Sequence, residues 1–390
     1  MRMLVSFAGG TGHFLPLVPL ARAARAEGDA VLVTGQAALL PTVTAAGFTA
    51  VDSGGTTLAD PAARRDLARV DRAAEAAVIL DVFAGSLARS RAARLMAIAR
   101  HWRPDVIVHD EMDFGAALTA ESLGRPRVEM TVLLAGGTVD RRHLTTRIER
   151  TRRSMGLTAR PGSRRLTLVP APPGFRDPAD PLPPPVLWIR PDVLEPVPNE
   201  QDPATRRTLA WLARQPARPR ILFTLGTIFH QESGDLFSRA VAGLSQLDAS
   251  IVVTVGREID PTELGPMPPH VHVERFVPQA SVLPHCDLVV CHAGSGSVMG
   301  ALAFGRPMLL LPMGADQPAN ADRCADLCVA TELDPLLATV DDVTTAAREL
   351  LLDPTFRRRA ASWRSAAAGL PTAAQALDRV RRLVDFTPSS

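Results

Sequence analysis

Short apolar runs of five to seven residues alternate with helical segments along most of the chain, and no other feature restricts the fold as tightly. RMLVSFA (2–8) opens the series. A helix is expected over 14–27 with Gly28 as its C-cap, and AVLVT (30–34) follows. DVIVH (105–109), a helical 113–123 and RVEMTV (127–132) continue it. Such runs read as strands buried on both faces. Helices long enough to cross between them make those strands parallel.

The pattern breaks over 170–205, where PAPPGFRDPADPLPPP sets the tone. Proline lacks a backbone donor and blocks helices, so this segment reads as an extended connector. The alternation then restarts with RILFTLG (220–226), a helical 234–246, SIVVTVG (250–256), DLVVC (287–291) and PMLLLP (307–312), and from about 341 the chain reads as helical. At 390 residues, two similar open α/β domains joined by a Pro-rich linker are expected.

Composition narrows the partners. Apolar residues make up 46% and charged residues 22%, enough for two cores and a polar surface. The net charge is only +2, without a basic block, which argues against nucleic acid. Cys286, Cys291, Cys324 and Cys328 show no CxxC spacing and read as free thiols in a reducing cytoplasm. Gly9, Gly10, Gly12 and His13 interrupt the first apolar run, so a secretory signal is not expected there, and no apolar run reaches the length of a membrane span.

In open parallel sheets, ligands bind beyond the carboxyl ends of the strands. HAGSGSVMGALAFGRP (292–307) is the strongest loop of this kind, with His292–Ser297 read as the turn and 298–304 as the helix. Glycine lets a ligand approach the backbone, and a helix start offers unpaired N–H groups and partial positive charge. Ser295, Ser297 and His292 add side-chain donors. This is a geometry for phosphate, with a serine-capped helix as the plain alternative. TLGT (224–227) adds Thr227 as a donor. RFVPQ (275–279) places Phe276 to stack on a nucleobase and the Val277 backbone to read its edge, unless Phe276 is core. GADQPAN (314–320) sets Asp316 beside Gln317, a pair suited to sugar hydroxyls or, at Asp316, to helix capping.

The first half offers GGTGHF (9–14). As a dinucleotide fingerprint it fails, because Leu15 takes the place of the third glycine. His13 remains, at a strand-to-helix turn and suited to general-base work or to a structural role. HDEMDF (109–114) brings Asp110 and Glu111 to another strand end, where a carboxylate could orient His13. No DxD triplet occurs. Without it, diphosphate binding through a helix dipole is favoured and no metal is expected.

In this order the motifs resemble those of nucleotide-sugar-dependent glycosyltransferases of the GT-B fold and GT1 type. Within them the chain looks like the bacterial branch that decorates macrolides, enediynes and other polyketides. The resemblance runs from GGTGHFLPLVPLA through the Pro-rich segment to FVPQ, CHAGSGSVMGALAFGRPMLLLPMGADQPANA and the terminal helices. It implies two Rossmann-like domains facing across a cleft: 1–195 for the acceptor, a linker at 196–205, and 206–371 for the nucleotide-sugar donor. The last helix, within 372–390, would cross back onto the first domain.

The resemblance further implies an inverting, hexosyltransferase-type reaction with His13 as base, supported by Asp110. His292, Gly294, Ser295, Gly296 and Ser297 would hold the diphosphate, with Gly12 and Thr227 also on the donor. Phe276 and Val277 would hold the base, and Asp316 and Gln317 the sugar. It favours thymidine over uridine diphosphate as the carrier of a (deoxy)sugar, with no cofactor beyond this co-substrate. A small apolar aglycone is the expected acceptor, and Phe14, Phe83, Met112, Phe114, Met130 and Leu134 are its expected wall from their loop positions. A homodimer is left open.

The chain departs from many relatives in carrying Ala293, Gly294 and Ser297 in the phosphate motif, which keeps a hydroxyl at 297. GGTGHF also resembles GGTGGH of lipid-intermediate glycosyltransferases of cell-wall synthesis, with one glycine missing. Those enzymes, and nucleotide-sugar epimerases on the same fold, are the competing readings.

Overall fold

A computed structural model describes residues 1–55, 66–157, 164–191, 202–226 and 233–385. The chain divides into two compact units. Among the described residues, 1–55, 72–157, 164–191 and 370–385 form the first, and 66–71, 202–226 and 233–369 the second.

The first unit holds a seven-stranded sheet. Its strands are β1 (Arg2–Ser6), β2 (Ala30–Gly35), β3 (Ala50–Asp52), β4 (Val106–Asp110), β5 (Arg127–Met130), β6 (Arg165–Val169) and β7 (Val186–Trp188). They are ordered β3-β2-β1-β4-β5-β6-β7, and every pairing is parallel, with Val5 opposite both Val33 and Val108. Strand side chains alternate between faces. Met3, Val5, Val106 and Val108 join one core cluster, while Leu4 and Ile107 join another on the opposite side. Both faces are therefore apolar, as a parallel sheet between helices requires.

β7 corrects the reading of 170–205 as connector alone. Three residues of that Pro-rich segment, Val186–Trp188, pair with β6 at the edge of the sheet. An edge strand needs only one ladder, so the prolines before it are tolerated. The expected helix over 14–27 is also subdivided, into Thr11–Phe14, a tight turn at Leu15–Leu17, and Val18–Ala26. The helix Ala373–Asp385 packs on Val18–Ala26 and places Ala376, Leu377 and Val380 in the first unit's core. Burying Leu377 and Val380 contributes about 1.5–3 kcal/mol each.

The second unit holds β8 (Arg220–Thr224), β9 (Ser250–Thr254), β10 (Val271–Glu274), β11 (Leu288–Cys291), β12 (Met308–Leu310) and β13 (Ala330–Glu332). They are ordered β10-β9-β8-β11-β12-β13, again all parallel. Its core packs Ile221, Phe223, Ile251, Val253, Leu288 and Val290 against the helices Leu236–Leu244 and Val340–Leu352. Among the described residues no helix is long and apolar enough to cross a membrane.

Strand order reverses between β1 and β4 in one sheet and between β8 and β11 in the other. At such a switch point the following loops diverge and leave a crevice at the carboxyl ends of the strands. Of the loops singled out from the sequence, GGTGHF, HDEMDF, TLGT and HAGSGS belong to these four strands, whereas RFVPQ follows β10 and GADQPAN follows β12.

Candidate active site

At the first switch point, Asp110 ends β4 with its carboxylate fully buried. It accepts hydrogen bonds from Ala8 N at 2.7 Å, Met112 N at 2.8 Å and His13 Nδ1 at 3.0 Å. An ionised carboxylate only accepts, so the proton between the two groups sits on Nδ1. The buried Asp110 thus fixes both ring orientation and tautomer. Gly9 makes room for the ring: it stands at φ +132°, and a Cβ there would fall 2.5 Å from His13 Cδ2. Gln36 Oε1 accepts from Gly9 N at 3.1 Å and ties this turn to the end of β2.

A second buried network underlies the pair. Arg91, fully buried, donates from Nε and Nη2 to the two oxygens of Asp113, at 3.0 and 2.6 Å, and from Nη2 to Ser6 Oγ at 3.0 Å. Asp113 also caps the helix Phe114–Leu123 by accepting from Ala116 N. Burial pushes the Asp113 carboxyl up, but the bidentate guanidinium outweighs it and holds the group below its usual range. Through Ser6 and Asp113 this network ties the end of β1 to the turn that follows β4.

Phe83 stacks on His13, with ring centroids 6.1 Å apart and an interplanar angle of 17°. Phe83, Met112 and Phe114 come together in one apolar cluster with Ala8, Ile79, Leu87 and Val132. Phe14 and Met130, also expected on an acceptor wall, instead join the sheet core. Met130 shares a strand face with Val128, and Phe14 packs 5.1 Å from the Phe7 ring. Leu134 is buried.

Glu111 serves the same loops. Its Oε1 accepts from Val132 N at 2.6 Å and from Leu133 N. Burial outweighs these donors and the nearby Arg176, and pushes its carboxyl up to about 7.

At the second switch point the helix begins at Ser295, earlier than the expected 298, and runs to Ala303. The extended Gly294 (φ −63°, ψ 143°) caps it without a side-chain bond, so the Ser-Gly-Ser run forms the first turn itself. The first intrahelical bond there is Val298 N to Gly294 O, at 3.0 Å. The N–H groups before it have no partner within the helix and carry its positive end. The hydroxyls are turned to neighbours: Ser295 Oγ donates to Asp316 Oδ2 at 2.7 Å, and Ser297 Oγ accepts from Gln279 Nε2 at 3.0 Å. Gly296 is exposed, and a Cβ on it would meet nothing within 4 Å. His292 packs closely on two glycines, since a Cβ on Gly226 or on Gly294 would collide with its ring.

Ala293 stands at φ 65° and Ala315 at φ 54°, both in the left-handed region that costs a residue with a Cβ about 1–3 kcal/mol. Asn320 braces the first of these. Its Nδ2 lies 2.9 Å from Ala293 O, 2.7 Å from Asp316 Oδ2 and 3.2 Å from Ser295 Oγ. Gln317 is 1% exposed, and its Oε1 accepts from Met313 N at 2.7 Å. Val277 is buried, and the guanidinium of Arg257 lies 4.0 Å over the Phe276 ring. Gly12 is exposed beside His13, and Thr227 lies outside the described residues.

Sequence reasoning missed Asn320, Gln36, Arg91 and Arg257. Asn320 left a usable signal, because it falls one helical turn after Asp316. The others sit on distant segments and left none.

Two Rossmann-like parallel sheets, each with a built loop cluster at its switch point, define the GT-B architecture of glycosyltransferases. SnogD from Streptomyces nogalater, a glycosyltransferase, superposes with a TM-score of 0.74 at 25% identity, covering 98% of this chain and 99% of that one. Spinosyn rhamnosyltransferase SpnG, solved with thymidine diphosphate, shares the fold with a TM-score of 0.80 at 22% identity over 98% of this chain and all of that one. Residues 22–172 match the N-terminal and residues 238–383 the C-terminal domain of the erythromycin biosynthesis protein CIII-like model. Elloramycin glycosyltransferase ElmGT of Streptomyces olivaceus is 32% identical over 402 residues, covering 97% of both chains. Tylactone mycaminosyltransferase of Streptomyces fradiae is 28% identical over 432 residues, 98% of this chain and 92% of the other. The chain belongs to this erythromycin biosynthesis protein CIII-like family of natural-product glycosyltransferases.

Proposed function

We propose that the protein moves a deoxysugar from thymidine diphosphate to a hydroxyl of a small apolar aglycone and inverts the anomeric centre. The observation that carries this reading is the His13–Asp110 pair at 3.0 Å, placed at a switch point beside the cluster of Phe83, Met112 and Phe114. With Nδ1–H given to Asp110, Nε2 takes the proton of the acceptor hydroxyl as its oxygen attacks the anomeric carbon. The bond from that carbon to the diphosphate breaks, and the electron pair leaves with the nucleotide. Asp110 meets the charge that His13 acquires. General-base help of this kind is worth about 10²–10⁴-fold.

In the second unit, the helix start at Ser295 meets the diphosphate charge with fixed N–H dipoles and no metal. Preorganised donors contribute about 3–4 kcal/mol each in other systems. His292 lies beside this turn, Asp316 and Gln317 take the sugar, and Phe276 with Val277 takes the base. The choice of thymidine draws support from two neighbours, SsfS6 and SpnG, solved with thymidine diphosphate.

A thermal-shift panel of thymidine, uridine, adenosine and guanosine diphosphates, with and without chelator, tests the donor half. A ligand at 100 times its Kd adds about 2.7 kcal/mol. Stabilisation by the thymidine compound, unchanged by chelator, is the expected result. Stabilisation by none of the four overturns the donor assignment.

A further inference from the structure

The ring that stacks on His13 belongs to an unusual element. Val78–Leu87 winds as a π-helix for ten residues, directly between the α-helices Arg72–Ala77 and Ala88–Trp102. π-Helical winding is normally confined to single turns within α-helices and is frequent at functional sites. A stretch this long persists only if its surroundings over-determine it.

The surroundings that do so lie on the helix Arg141–Ser154. Arg147 Nε donates to Leu80 O at 2.9 Å, and Thr151 Oγ1 donates to Ala84 O at 2.6 Å. Donors four residues apart meet carbonyls four residues apart, so the two bonds form consecutive rungs between the helices. Gly85 lets the first rung close: a Cβ there would fall 2.5 Å from Arg147 Nη2. Arg147 also reaches Asp81 Oδ1 at 3.4 Å. Phe83 lies between the two gripped carbonyls. Rewound as an α-helix, the segment would turn Phe83 off the His13 ring.

We propose that Arg147 and Thr151 are positioning residues for the transfer reaction. By gripping the carbonyls of Leu80 and Ala84 they keep the π-helix wound and so hold Phe83 against His13. The functional part of this inference rests on the reading of His13 as the base, whereas the grip itself does not. Neither residue touches Asp110 or His13, and both act through the Phe83 ring.

The test uses the full chain with its histidine rings labelled for NMR, the His13 signal being the one lost in His13→Asn. Phe83→Leu removes the ring current and displaces that signal. Arg147→Gln, Gly85→Ala and Thr151→Val, each folded by circular dichroism, move it toward its Phe83→Leu position. Thr151→Ser, which keeps the hydroxyl, returns it to the native position. In the Phe83→Leu background, Arg147→Gln moves it no further. If Arg147→Gln fails to fold, Thr151→Val decides, since it removes a single bond. A His13 signal that stays put in Arg147→Gln, Gly85→Ala and Thr151→Val overturns the grip, as does one that Phe83→Leu leaves unmoved. Full activity in His13→Ala would instead overturn the base assignment while leaving the NMR result standing.

Discussion

The imidazole of His292 rests on the bare Cα of Gly226: a Cβ added at Gly226 would fall 2.5 Å from the ring's Cε1. Gly294 presses on the same ring, at an ordinary negative φ. Gly294→Ala therefore displaces His292 without the left-handed strain that Gly226→Ala adds at φ +78°. Both substitutions should weaken thymidine diphosphate binding by about tenfold or more, some 1.4 kcal/mol. Isothermal titration of the two variants reads the loss.

His13→Ala should cut transfer by about 10²–10⁴-fold with thymidine diphosphate affinity unchanged. Asp110→Asn should cut it comparably, because an amide cannot accept from Ala8 N, Met112 N and His13 Nδ1 and keep the same tautomer. The amide also leaves buried donors short of an acceptor, at a cost of about 1–3 kcal/mol. Turnover of thymidine diphosphate-sugars and urea unfolding separate the two effects.

Asn320→Ala should lower stability by about 1–3 kcal/mol. It removes the amide that holds Ala293 O, Ser295 Oγ and Asp316 Oδ2, and leaves the left-handed Ala293 unbraced. Thermal unfolding measures the loss. Donor binding should weaken with it, because the same amide sets the first turn of the helix at Ser295.

Glu111 gives a pH signature. Its folded-state carboxyl is raised from 4.5 to about 7, chiefly by burial. Between those values the folded state holds the proton more tightly than the unfolded state, so its contribution is fully present below 4.5 and is lost as pH rises through about 7. Glu111→Gln should flatten that slope and gain stability relative to the native chain at pH 8. Denaturant unfolding at a series of pH values checks it. A native-like slope in Glu111→Gln would assign the titration to another group.

The parts of the fold that rest on local periodicity were legible in the sequence. RMLVSFA, DVIVH, RILFTLG and DLVVC became the four strands flanking the two switch points, because an apolar run between turn residues has few other uses in a chain of this kind. β7 was hidden, since proline density masks a three-residue edge strand. At the site, His13 and Asp110 could be paired because one sits at the turn after the first strand-like run and the other directly follows DVIVH. The six acceptor-wall residues could not be sorted the same way. Loop position does not say that Phe14 and Met130 turn into the sheet core while Phe83 turns onto His13. The π-winding of VILDVFAGSL was invisible for a similar reason: its composition suits an ordinary helix, and the groups that grip it lie 67 residues downstream of the carbonyls they hold.

The helix Ala373–Asp385 bears on the order in which the protein is made. Its Ala376, Leu377 and Val380 belong to a core otherwise assembled from residues 3–189, and Arg381 reaches back to Asp29 at 2.9 Å. The second unit is thus an insertion within the first. On the ribosome, the seven-stranded sheet can be complete while one of its faces still lacks its cover, and the whole inserted unit must be synthesised before that cover emerges. A chain stopped near residue 370 would carry a finished second unit and a first unit with an open apolar seam, a ready target for chaperones and for association with other chains.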